Sequence, residues 1–161
     1  MDRLIRKIIE LLEANVKTQR GIKQIYWGDP FFIPKASIPS ITVSPSQTVI
    51  ETTDNVRDND LATIEITLVF DARMVMNAKF TEFTALFEIS KIMEERASGE
   101  SHELEADTIV GVIRQLFYAD KDFNLNVQSD TINYGFRDNR EFPTVEAVYT
   151  IVVQTKPYTR A

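Results

Sequence analysis

Cysteine is absent from this chain, which removes disulfides, thiolate nucleophiles and cysteine-ligated zinc from consideration. Histidine occurs once, as His102, so a metal site would have to be built almost wholly from carboxylates and a Ser–His–Asp triad could use only that imidazole. His102 lies in the hydrophilic stretch SGESHELE and reads as an exposed, solvated residue. The five glycines are scattered singly, and neither G-x-x-x-x-G-K nor G-x-G-x-x-G occurs, so no glycine-rich phosphate cradle is present. No apolar run approaches the roughly 20 residues that a membrane span needs. The opening MDRLIRKIIELLEANV is interrupted by Arg6, Lys7, Glu10 and Glu13, unlike the unbroken apolar stretch of a signal peptide. A protein made and kept in the cytoplasm is expected.

Basic residues are also in deficit: 18 Lys and Arg face 24 Asp and Glu, leaving a net charge of −6. Nucleic-acid binding rests on cationic clusters that neutralise phosphates, so DNA near this surface would be tolerated rather than gripped. Against these absences stand 161 residues that are 43% hydrophobic, enough for one domain with a real core and no room for a second.

Leu4, Ile5, Ile8, Ile9, Leu11, Leu12 and Val16 recur at helical spacing and predict an amphipathic helix over 2–19, with Asp2 as N-cap, Gly21 past its end and a solvated face of Arg3, Lys7, Glu10, Glu13 and Lys17. A short strand is expected at 22–27. Pro30, Pro34 and Pro39 then preclude regular structure over 28–40. That segment nevertheless carries Trp27, Phe31, Phe32, Ile33 and Ile38, more apolar surface than a solvated loop keeps. It either folds back over its own core or packs as an arm on a neighbouring subunit.

Residues 41–51 read as a strand that Pro45 confines to an edge or a bulge. A polar turn over 52–60 leads to the clearest strand, 61–73, where Ala62, Ile64, Ile66, Leu68 and Phe70 alternate with Thr63, Glu65 and Thr67, and only Val69 breaks the polar face. The two strands are expected to form an antiparallel hairpin. Helical spacing returns over 77–96, with Asn77 as cap and Phe80, Phe83, Leu86, Phe87, Ile89, Ile92 and Met93 apolar, and over 103–118, whose acidic first turn suits the helix dipole. Strand patterns follow at 123–129, 131–136 and 144–153, and Pro157 ends the last. Strands grouped rather than alternating with helices predict a single α+β domain over 1–161. Its antiparallel or mixed sheet would be flanked by an N-terminal helix and two central helices.

Paired carboxylates could run acid–base chemistry in a pocket that separates their pKa values, but the acidic runs 54–60 and 94–107 both read as solvated. Asp54, Asp58 and Asp60 lack the central glycine and terminal glutamate of a calcium loop. Arg137, Asp138, Asn139 and Arg140, with Lys156 and Arg160, make two basic spots at opposite ends of the last strand. They read as surface charge or a polar partner contact.

In element order and length, the amphipathic helix, the segment IYWGDPFFIPKASIPSITV, the hairpin ending LATIEITLVFDAR and the closing EAVYTIVVQTK make the chain similar to the tail-terminator, or tail-completion, proteins of tailed bacteriophages. The resemblance implies a non-enzymatic virion protein without cofactor or metal, forming a hexameric ring on the head-proximal end of the tail tube. Such a ring ends tube polymerisation and meets the neck protein. The implied partners are copies of itself, the tube protein, the sheath protein where a tail contracts, and a neck or head-completion protein, with DNA passing through the lumen. Ring contacts are then expected at Trp27, Phe31, Phe32, Ile33, Ile38, Val56 and Arg57. Axial contacts are expected at Arg137, Asp138, Arg140, Lys156, Tyr158 and Arg160. The rival readings are another neck or baseplate adaptor, such as a head-closure protein, and a small enzyme or ligand-binding module. The last would need a pocket lined by converging carboxylates.

Overall fold

The computed structural model describes residues 2–30, 32–52, 57–71, 82–99, 102–119, 126–137, 144–154 and 158–159. Helix α1 (Asp2–Leu12) buries Leu4, Ile5, Ile8 and Leu12, and the chain continues in a π-helical turn, Glu13–Lys17, that turns Val16 inward. Asp2 is already helical, so its negative charge acts on the first-turn dipole rather than as the expected cap. Gly21 takes φ +68 just past the helical segment, as its position suggested.

Strand β1 (Gln24–Trp27) pairs with β2 (Ser40–Thr52), and the pair is parallel. β2 and β3 (Arg57–Asp71) form the expected antiparallel hairpin, although 57–60 belong to β3 rather than to the turn. Pro45 sits at a register shift between Pro45 and Gln47, where its missing N–H does no harm. Helix α2 (Glu82–Glu94) and helix α3 (Ile109–Ala119) follow. The expected cap Asn77 and the first turns of the 77–96 helix lie outside the described residues.

The two strands read at 123–129 and 131–136 are one strand, β4 (Asn126–Arg137). The irregularity that looked like a break is a bulge between Val127 and Ser129. β5 (Thr144–Gln154) lies between β4 and β3, and β6 (Tyr158–Thr159) continues alongside Arg57 and Asp58 of β3. The sheet order is β1-β2-β3-β5-β4. All pairs except β1–β2 are antiparallel, so the fold is a single α+β domain on a mixed sheet.

The helices cover one face, where Ile41, Ile64, Ile66, Leu68, Val145, Ala147 and Ile151 meet Ile5, Ile8, Ile89, Met93, Ile109 and Ile113 in one apolar cluster. Burial of such side chains contributes roughly 1.5–3 kcal/mol each before entropy is counted. The opposite face carries a second, small cluster of Ile33, Ile38 and Val69 with Tyr26 against it. Val69, an apolar residue on the mainly polar face of β3, is therefore the seat on which the proline-rich segment rests.

α3 begins six residues later than its sequence pattern predicts. Glu95 and Ala97 bond across to Glu105 and Glu103, and Arg96 bridges Leu104, so the segment before α3 is a tight β-like link rather than helix. Thr108 is the cap: its Oγ1 accepts from the Gly111 N–H at 3.1 Å. The acidic residues of the expected first turn thus precede the helix. Phe87, expected on the buried face of α2, is 59% exposed and lies under the Lys91 ammonium.

Candidate functional site

Two regions merit a functional reading. The first is a cleft of about 330 Å³ between α3, the α2–α3 link and the outer strand β4, lined among others by Glu94, Arg96, Arg114, Asp130, Tyr134 and Tyr149. Strand alternation places Asp130, Ile132 and Tyr134 of β4 on the helix side, and α3 brings Arg114 onto them. Asp130 Oδ2 accepts from the Tyr149 hydroxyl at 2.7 Å and from Arg114 Nη2 at 3.1 Å. Burial works against the Asp130 charge, but the hydrogen bonds from Tyr149 and Arg114 outweigh it and hold its pKa below the usual carboxylate value. Burial first, and then the bond to Asp130, raises the Tyr149 phenol well above its ordinary range. Tyr134 is raised the same way by burial and by Glu94.

Two carboxylates, Glu94 and Asp130, therefore do share a cleft; Glu94 opens the acidic run 94–107 read as solvated, and Asp130 was not singled out from the sequence. Within the cleft the Asp130 carboxyl is pushed down and the Tyr134 and Tyr149 phenols are pushed up, away from each other in pKa. The spacing that marks it, Arg114 on an apolar helix and Asp130 amid a strand, was available in the sequence, but their convergence depends on β4 lying beside β5.

The acidic run 94–107 is not simply solvated. Arg20, just after the π-helical turn, donates to Glu95 and Asp107, each at 2.7 Å. It ties the end of the first helical segment to both sides of the link before α3. His102 is exposed with φ +47, and its carbonyl accepts from Arg96. Among the described residues, no three His, Asp or Glu side chains converge on one point, and no helix is long and apolar enough to cross a membrane.

The second region is the sheet's open border. The residues expected at a ring contact divide between inside and outside. Ile33 and Ile38 are 3% and 1% exposed against Val69, so intramolecular packing replaces the expected subunit contact for these two. Trp27 and Phe32 are 47% and 50% exposed, with the Arg6 guanidinium 5.4 Å from the Trp27 ring. Phe31, Val56, Asp138, Arg140, Lys156 and Arg160 lie outside the described residues.

Of the remaining candidates, Arg57 and Tyr158 occupy neighbouring rows of the β3–β6 ladder, which places one expected ring residue and one expected axial residue at the same end of the sheet. The backbone of Arg137 pairs with Thr144 at the opposite end. Sequence reasoning did not single out Tyr134 and Phe136 on β4, which are both exposed. On the other side of the sheet, Pro45–Val49 are exposed at five consecutive positions, on both faces of β2.

No family model matches this chain, and no curated protein matches it.

Proposed function

We propose that this protein is a structural subunit that assembles with copies of itself into a ring, of the kind that caps the head-proximal end of a bacteriophage tail tube. It would act through protein surfaces, not catalysis. One observation carries the reading: the five consecutive exposed residues Pro45–Val49. Within a domain, a strand normally buries at least one face. A strand exposed on both faces, with no strand on one edge among the described residues, is a liability in a solitary protein and a contact element in an assembly.

Exposed aromatic side chains, Trp27 at one border of the sheet, Tyr134 and Phe136 at the other, and Phe32 in the segment after β1, support the same reading, because such residues are enriched where subunits meet. The net charge of −6 suits a lumen through which DNA slides without sticking. Hexameric rings, the tube contact and the neck contact follow from the tail-terminator resemblance.

Sedimentation and negative-stain microscopy of the purified protein, alone and mixed with tail tubes, test it. Discrete rings that sit on one tube end are the expected result. A protein that stays monomeric at every concentration and ignores tube ends would refute the reading.

A further inference from the structure

The strand order ends in two borders of different make. At one end β4 has β5 on its inner side and, among the described residues, no strand on its outer side. At the other end β1 covers only four of β2's 13 residues. Beyond Trp27 the chain leaves this column: the Gly28 N–H still bonds the Val43 carbonyl at 2.8 Å, and φ +86 then turns the backbone away. Gly28 is suited to that turn because L-residues with side chains rarely hold such a φ. Among the described residues, no strand fills the column beside β2 from Ser44 to Thr52, whose regular part begins at Gln47 after the bulge.

Strand direction limits what can fill it. β2, β3, β5 and β4 alternate in direction along the sheet. Four alternating strands put the first and the last in opposite senses. A second copy laid edge to edge in the same orientation therefore presents its β4 antiparallel to β2, in the stronger ladder geometry. No flip is needed, and the contact is head to tail, the type that closes into rings.

Charge agrees with this. Residues 47–52 (QTVIET) and 128–133 (QSDTIN) contain no Lys or Arg and one acid each, Glu51 and Asp130, and the Asp130 carboxylate is already held by Arg114, so the ladder carries little charge. Both also lack the lysines with which natural edges deter pairing. Each exposed aromatic at these borders can bury roughly 150–250 Å². Trp27, Tyr134 and Phe136, all on the helix side, would bring such a ladder toward the ~1,200 Å² at which specific interfaces begin.

We propose that β4 of one copy adds antiparallel to the Gln47–Thr52 half of β2 in the next copy, making one sheet continuous from subunit to subunit. The inference rests on the ring reading above and names its contact. Cysteine-free sequence makes the test clean. Gln47 shares a row with Thr63 and so faces away from the helices, as do Ser129, Thr131 and Asn133 on β4, and all four are exposed. Gln47→Cys is combined in turn with Ser129→Cys, Thr131→Cys and Asn133→Cys, three registers on one face, and treated with a short bis-maleimide after sedimentation and circular dichroism confirm assembly and folding.

The expected result is a cross-linked ladder ending at the oligomer's size in at least one double variant. Mixing the Gln47→Cys and matching β4 single variants should give a covalent dimer that neither gives alone. Oligomers with no cross-link in any register would overturn this contact and leave the ring reading standing. So would a covalent dimer from Asn133→Cys alone, which signals β4 pairing with β4. A chain monomeric throughout would overturn both.

Discussion

The hydroxyl of Tyr149 on β5 donates to Asp130 Oδ2 on β4 at 2.7 Å, and the same oxygen takes the Arg114 guanidinium from α3. One carboxylate oxygen thus joins the outer strand to its neighbour and to a helix. Replacing Tyr149 with Phe keeps the ring in its buried slot and removes one charge-assisted bond, which costs about 1–2 kcal/mol. Urea midpoints of the two proteins at pH 7 measure it.

The pH dependence has a definite sign. Asp130 has a folded pKa below its ordinary value of 3.8, so its contribution is present above that value and is lost as pH falls through the lower folded value. The stability gap between the native protein and Asp130→Asn should be constant from pH 7 to about 5 and shrink below about 4. The phenols act in reverse. Tyr134 and Tyr149 are raised above 10.0, so stability from keeping them protonated is full below about pH 10 and declines as pH rises beyond it. Ultraviolet titration should show Tyr149→Phe removing a phenol that ionises above the ordinary tyrosine range.

Gly111 in α3 has no unusual φ, yet a Cβ there would lie 2.3 Å from the Glu105 carbonyl oxygen and 2.7 Å from Thr108 Oγ1. Gly111→Ala should therefore destabilise by about 1–3 kcal/mol, although alanine favours helices in general. Gly135→Ala, with nothing within 4 Å, should stay within about 0.5 kcal/mol. Thermal melts of both variants decide.

Phe32 and Ile33 are adjacent but should behave oppositely. Ile33→Ser empties part of the cluster on Val69 and should lower stability by about 2–4 kcal/mol. Phe32→Ser removes an exposed ring, should leave the melting temperature nearly unchanged and should weaken self-association. Urea melts and sedimentation on each variant separate the two roles. Equal loss of stability in both would contradict the division of the segment into an inner and an outer side.

Arg20→Lys tests the clamp over the α2–α3 link. One ammonium cannot hold Glu95 and Asp107 with two directed bonds as the guanidinium does. About 1 kcal/mol is expected, since both carboxylates are more than one-third exposed and screened. The loss should be smaller at high salt, measured by urea titration.

Much of the fold was legible because its signals are local. The period-3.6 pattern of Leu4, Ile5, Ile8 and Leu12 and the period-2 pattern of Ala62, Ile64, Ile66 and Leu68 report which face a helix or strand buries, whatever lies against it. Both were read correctly. Pro45 was confined to an edge or a bulge because a residue without an N–H fits few other positions in a ladder, and the structure has it at a bulge. The site was much less legible. Asp130 looked like an interruption between two strands, and its partners Tyr149 and Arg114 are 19 and 16 positions away.

From local pattern alone, the sequence determined the buried faces of the first helix and of the long strand β3, and the want of cysteine and glycine-rich chemistry. Tertiary structure decided the rest. It made β1 parallel to β2, seated Ile33 and Ile38 on Val69, started α3 at Thr108, and left Phe87 outside. Each of these depends on which surfaces meet at long sequence separation. A run of apolar residues states only that surface must be covered, and the packed arrangement of distant elements determines which surface covers it.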